Sequence, residues 1–189
     1  MKERKRKLTP EQKQYLIDLK KKPNEDDIRY KEIIKQKLLD DDILIWLLNN
    51  KKLEDDEAEN DEYFGVNIKP TFIIPDTQTD VQNFVCFEVS FDDTARYNPA
   101  IKYQEIIFYI LCHEANEIVE EIGAARQDLI AGILIDKFNG SNVFGNQLKL
   151  VSDKPSVTDT KYSTRTLVFE QKATNSLTKA DGQTFNLRK

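Results

Sequence analysis

His113, Glu114 and Glu117 stand in the run His-Glu-Ala-Asn-Glu, whose first two residues match the opening of a zinc-protease helix. That chemistry needs a second histidine one turn after the first, so that both imidazoles face one metal, and here Glu117 holds the position. His113 is the only histidine of the chain, and the role it predicts is a polar terminus for a strand rather than a catalytic base. Pro75-Asp76 followed by Glu88 has the look of a metal-dependent nuclease, in which two carboxylates hold a divalent ion and a lysine two places past the glutamate activates water. Ser90 stands where that lysine belongs. A turn acid and a solvent-facing strand acid explain the two residues better. A serine or cysteine triad has one histidine to draw on and no nucleophile placed beside it. A glycine-rich phosphate loop is missing too. The expectation is a protein without catalytic residues, metal or cofactor.

The elements that carry His113 are the clearest in the chain. Ile106, Ile107, Phe108, Tyr109, Ile110 and Leu111 form an apolar run too short for a helix, which predicts a strand covered on both faces. After the acidic turn, Ile122, Ala125, Leu129, Ile130, Ile133, Leu134 and Phe138 recur at helical spacing from about residue 121, and Asn139-Gly140 supplies the stop. Residues 103–140 therefore read as a strand feeding a helix that packs back on its own sheet.

A chain of 189 residues can bury one real core, and a second independent domain is not expected. The net charge of −5 conceals two blocks of opposite sign. Lys2, Arg4, Lys5, Arg6 and Lys7 open a basic arm over residues 1–24, whereas Glu54, Asp55, Asp56, Glu57, Glu59, Asp61 and Glu62 crowd one acidic stretch. Such blocks read first as solvated tails or loops, and second as electrostatic docking to nucleic acid or an acidic neighbour. Cys86 and Cys112 are too few for a disulfide framework, so they are expected as buried thiols in a reducing cytoplasm, close together if their strands form a hairpin. Neither a signal peptide nor a membrane span is evident.

Along the chain, Thr9-Pro10-Glu11 predicts a helix start, with threonine as N-cap and proline in the first turn, and with Tyr15, Leu16 and Leu19 as its stripe. An amphipathic helix follows from about Asn24 to Leu39, and Asp40, Asp41 and Asp42 cap a short helix holding Ile43, Leu44, Trp46, Leu47 and Leu48. Residues 49–67 predict a solvated acidic loop. Pro70 and Pro75 bracket an expected edge strand at Thr71, Phe72, Ile73 and Ile74. Val85, Phe87, Val89 and Phe91 alternate with Cys86, Glu88 and Ser90 in a half-buried strand. A polar connection over residues 92–102 leads to its antiparallel neighbour. Residues 147–151 and 163–170 predict a second hairpin around a polar loop at 152–160. The expected architecture is α+β: a mainly antiparallel sheet in the order α-β-β-α-β-β, with helices packed on one face and the other left for a partner. The core spans residues 25–172, between the basic arm and a polar tail at 173–189.

The strand IIFYILCH, the acidic linker, and Gly123, Arg126, Asp128, Leu129, Ile130 and Ala131 running on to Phe138-Asn139-Gly140 together resemble tail-completion proteins of tailed bacteriophages. They are similar in particular to the neck proteins called tail terminators or head-tail joining proteins. The helix pair IIKQKLLDDDILIWLLNN before a hairpin is similar to the opening of such chains, and the resemblance covers about residues 28–170.

The resemblance implies a subunit that closes into a ring, commonly a hexamer, in the virion neck where DNA passes from capsid to tail. Its partners would be copies of itself and neighbouring neck, connector and tail tube proteins. DNA would cross the lumen without specific binding, and no membrane or catalysis is involved. Arg126, Asp128 and His113 become candidate subunit contacts, with a local ion pair slightly favoured over an intersubunit one for Arg126. The basic arm becomes a candidate electrostatic dock, and the acidic stretch a candidate lumen surface. The alternative is a cytoplasmic nucleic-acid-binding or processing protein that uses the basic arm, which requires strong salt-dependent DNA binding by the monomer.

Overall fold

The computed structural model describes residues 8–20, 26–73, 81–95, 98–157 and 161–174. Its frame is a five-stranded sheet in the order β1-β2-β3-β7-β6, built from β1 (Ile68–Lys69), β2 (Phe84–Ala95), β3 (Asn98–His113), β6 (Lys149–Val157) and β7 (Tyr162–Thr174). The β2–β3, β3–β7 and β6–β7 pairs are antiparallel, and only the two-residue β1 pairs in parallel, with β2. This is the expected α+β architecture. A small second sheet joins β4 (Ile118–Val119) to β5 (Ala124–Ala125).

One face of the large sheet holds the core because alternate residues of each strand are apolar. Val85, Phe87 and Val89 of β2, Ile106, Phe108, Ile110 and Cys112 of β3, and Leu167 and Phe169 of β7 are all buried there. Three helices cover them. In α5 (Arg126–Phe138), Ile130, Leu134 and Phe138 lie four residues apart, so one stripe faces the sheet. The Phe138 ring meets Phe108 at 5.0 Å between centroids, and Phe169 meets Phe108 edge-on at 5.8 Å. Burying each such ring contributes about 1.5–3 kcal/mol. Tyr30, Ile34 and Leu38 make the same stripe on α2 (Asp26–Leu39), while Leu44, Ile45, Leu47 and Leu48 fill in from α3 (Asp42–Leu48).

Among the described residues the opposite face carries only a small cluster of Phe84, Cys86, Leu111 and Tyr162, with Ile73 and Tyr109 beside it. The expectation that the run from Ile106 to Leu111 is covered on both faces therefore holds for its end alone, since Ile107 and Tyr109 are half-buried. Cys86 sits in this cluster and Cys112 in the main core, so the two free thiols lie on opposite faces of the sheet and do not approach.

Four further expectations are corrected. The helix after His113 begins at Arg126 and not near Glu121, because the β4–β5 hairpin intervenes; Gly123 takes a φ of 69° in its turn, and Ile122, placed on the apolar stripe, is exposed. The edge strand is Ile68–Lys69, just before Pro70, and Thr71, Phe72 and Ile73 are not strand. Both hairpins run further than their apolar patterns, so much of the two predicted polar connections is strand; Pro155 is tolerated because β6 lies at the sheet edge. Residues 49–67 are not one solvated loop. They fold into α4 (Lys51–Asp55) and a 3-10 turn, Asn60–Tyr63, anchored by buried Tyr63 and Asn67.

At the N-terminal end, α1 (Pro10–Lys20) starts as expected. Thr9 Oγ1 accepts from the Gln12 N–H at 3.3 Å, and Gln12 Oε1 accepts from the Thr9 N–H at 2.9 Å, a reciprocal capping box. Of the predicted polar tail at residues 173–189, the part beyond 174 lies outside the described residues.

Candidate interaction surfaces

His113 ends β3 as the sequence predicts. Its ring packs edge-on against Tyr162 at 5.1 Å, and its Nδ1 accepts from the Ala115 N–H at 3.1 Å, capping the short turn Glu114–Asn116. The residue is buried. Its backbone N–H donates to Asn83 Oδ1 at 3.1 Å, which connects it to a chain of asparagines.

Those asparagines are the polar centre of the fold. Asn83 Nδ2 donates to the Leu48 carbonyl at 3.1 Å, Asn67 Nδ2 to the Asn83 carbonyl at 2.8 Å, and Asn50 Nδ2 to Asn67 Oδ1 at 2.6 Å. Asn50 Oδ1 in turn caps α4 at the Leu53 N–H. All three side chains are buried, so each bond replaces water that cannot reach the site. The network ties the end of α3, the start of β2 and the end of β3 into one joint. Sequence reasoning passed over it; the available signal was an asparagine at the boundary of each apolar run.

Arg126 lies on the same joint. It is 7% exposed, and its guanidinium donates from Nε to the Asn116 carbonyl at 2.8 Å and from Nη1 to the Leu47 carbonyl at 2.8 Å. The Leu47 carbonyl belongs to the last turn of α3, whose terminal carbonyls have no partner within the helix. Burial pulls this guanidinium below its ordinary pKa, while the Cys112 and Glu54 groups act in the opposite direction. The favoured local ion pair for Arg126 is replaced by these carbonyl bonds, which face into the subunit.

Asp128 has a different partner. Its carboxylate pairs with Arg165, which also forms a two-pronged bridge to Asp153 at 2.7 and 2.6 Å, linking α5 to β7 and β6. Arg165 holds the Asp153 carboxyl below its usual value, and Asp153 in return raises the Arg165 guanidinium. Asp128 also suits the N-terminal end of α5, where the helix dipole favours a negative charge. Glu88, the nuclease-like acid, accepts from the Phe72 N–H at 3.2 Å and from the Tyr109 hydroxyl at 3.3 Å, while Asp76 lies outside the described residues. Among the described residues no group of three His, Cys, Asp or Glu side chains converges to hold a metal.

The acidic surface is displayed on a folded frame. Glu54, Asp55, Asp56, Glu57, Glu59, Asp61 and Glu62 are all exposed. Asn60 Nδ2 fixes their segment by donating to the Leu39 carbonyl at 2.9 Å and to Asp42 Oδ1 at 3.0 Å. Beside it, Ile43 and Trp46 of α3 are exposed and lie one turn apart. The arm residues Lys2, Arg4, Lys5, Arg6 and Lys7 lie outside the described residues. No helix among the described residues is long and apolar enough to cross a membrane.

No curated protein matches the chain. The model of a family described as YomW matches residues 40–171, more than two thirds of the chain, from the start of α3 to the end of the sheet. The chain belongs to the YomW family, a phage-derived family of the SPbeta-like yom locus, and is a phage-associated protein.

Proposed function

We propose that this chain is a structural virion protein of a tailed phage, closing into a ring in the neck at the head-tail junction as a tail terminator or tail-completion subunit. The observation that carries this reading is the acidic surface from Glu54 to Glu62, held on α4 and the Asn60–Tyr63 turn by buried anchors instead of trailing as a loop. A wall of fixed carboxylates repels phosphates, so a duplex can slide past without being gripped. Phage membership and the sheet face that no helix of the described residues covers support the same reading, because a ring subunit needs surface for neighbours. In this role the chain has no catalytic residues and takes no cofactor. It contacts copies of itself and the neck, connector and tail tube proteins on either side, and it resides in the virion after assembly in the host cytoplasm.

The test is a reconstruction of the phage particle together with the native mass of the purified chain. The expected result is a ring of this chain on the tail axis, with the acidic surface toward the lumen. Absence from purified particles, or a monomer that binds DNA with a steep salt dependence, overturns the proposal.

A further inference from the structure

The helix α1 presents large apolar side chains that belong to neither core cluster of the described residues. Leu8, Leu16 and Ile17 are each 49% exposed, and Leu8, Glu11, Gln12, Tyr15 and Leu16 border a surface hollow of about 380 Å³. Isolated helices shorter than about 12–15 residues are marginal in water, and α1 has 11. A capping box strengthens its start but does nothing for exposed leucines.

A complementary surface lies on the body. Ile43 is 66% exposed and Trp46 46%, on the outer side of α3, while Leu44, Ile45, Leu47 and Leu48 point inward. The Asn60 to Asp42 hydrogen bond brings Glu59, Asp61 and Glu62 against the same end of α3. This surface is therefore apolar with acids along its edge. The exposed α1 surface is apolar and carries Glu11 and Asp18 beside Lys13, so its basic character comes from Lys2, Arg4, Lys5, Arg6 and Lys7, which precede it in the chain.

We propose that α1 of one copy docks on the Ile43–Trp46 face of the next copy, with the basic residues that precede α1 meeting Glu59, Asp61 and Glu62 at the edge of that face and leaving the acids of α4 to the lumen. Apolar burial supplies the attraction, and charge of opposite sign sets partner and orientation. The donor and acceptor surfaces are different patches, so the contact is heterologous and repeats around an axis until it closes. The inference rests on the ring reading and names which surfaces close it.

Trp46 is the only tryptophan of the chain, so its emission reports on the contact directly. The experiment uses the full chain, a Leu16→Asp variant lacking the apolar donor, and an Ile43→Asp variant lacking the apolar acceptor. Both positions are exposed, and unchanged far-ultraviolet dichroism checks that each variant folds. The parent is expected to assemble, with Trp46 emission moving to shorter wavelength as protein concentration rises and with weaker assembly in high salt. Each variant alone is expected to stay monomeric, its association weakened at least tenfold. An equal mixture of the two is expected to stop at a two-chain species, because one intact donor then meets one intact acceptor. Rings that persist in both variants overturn the docking inference while leaving the ring reading standing. A parent that stays monomeric at all concentrations overturns both. An emission shift independent of concentration, arising from α1 folding onto its own α3, overturns the exchange between copies.

Discussion

Replacing Arg126 by methionine separates a structural role from a contact role. Methionine keeps most of the aliphatic stem but removes the donors that reach the Asn116 and Leu47 carbonyls, both at 2.8 Å. Hydrogen bonds from a charged donor contribute about 1.5–3 kcal/mol each, and the two carbonyls would be left without their partner in a buried joint. Part of that loss is returned, because the buried guanidinium no longer has to be held out of water, the cost that lowers its pKa. The net destabilisation is about 3 kcal/mol, a large share of the 5–15 kcal/mol typical of a folded domain. For a chain of this size it corresponds to a melting temperature lower by about 6–12 °C. Thermal unfolding followed by dichroism at pH 7 reads the effect, and Arg126→Lys, able to reach one carbonyl, is expected to fall between parent and methionine variant. A methionine variant that melts within about 1 °C of the parent refutes the assignment of Arg126 to the joint. Loss of assembly at unchanged stability would put it at a subunit contact instead.

Two further predictions follow from the titrating groups. For Asp41, burial works against ionisation, but the bonds from Lys137 at 2.7 Å and from the Leu44 N–H at 2.8 Å outweigh it and hold the carboxyl below the ordinary 3.8. Its stabilisation is therefore present above that value and is lost as pH falls through the lower folded-state value. Asp41→Ala is expected to cost about 1–2 kcal/mol in urea titrations at pH 7, with the gap to the parent narrowing below about pH 4. A gap that stays constant into acid contradicts this. Burial pushes the Cys86 thiol up to about 11 and the Cys112 thiol up to about 12, whereas unfolded thiols ionise from about 9. Stability is expected to fall as pH rises past 9, and an aromatic disulfide reagent at pH 8 should react slowly with the native protein and with both thiols once urea unfolds it. Rapid labelling without denaturant would place a thiol at the surface.

What the sequence made legible depended on periodicity. The stripes of α2 and α5 and the alternation of β2 follow from burial of one face, and the capping box of α1 is local chemistry, so these could be read from neighbours along the chain. Strand ends could not, because β2 and β3 continue through polar residues that pair only when the partner strand is in place. The β4–β5 hairpin interrupts what reads as one helical pattern, since Ile122 and Ala125 fit helical spacing and nothing in that spacing marks a turn at Gly123. Arg126 and Asp128, two positions apart, read together as candidate subunit contacts, yet at 3.6 residues per turn they lie about 200° apart around α5 and part company: one into the joint, the other to Arg165. Asn50, Asn67 and Asn83 each stand at the boundary of an apolar run, but nothing along the chain joins them into a network, because they are brought together only by the fold.

The anchors beneath the acidic surface explain how so much like charge can sit on ordered backbone. Leu53 packs against the core, Tyr63 is buried, Asn60 holds Leu39 and Asp42, and Asn67 holds the start of β2; none of these side chains is itself charged. Repulsion among Glu54, Asp55, Asp56, Glu57, Glu59, Asp61 and Glu62 would by itself spread the segment into solvent, the outcome its composition predicts. Uncharged anchors resist that spreading without neutralising the field, whereas salt bridges to the acids would have done both. A protein that only needed a soluble loop would gain nothing from such anchoring. In the proposed ring a fixed sheet of negative potential would repel a polyanion from one direction and attract a basic segment of the neighbour from another, the acids of α4 meeting the first demand and Glu59, Asp61 and Glu62 the second.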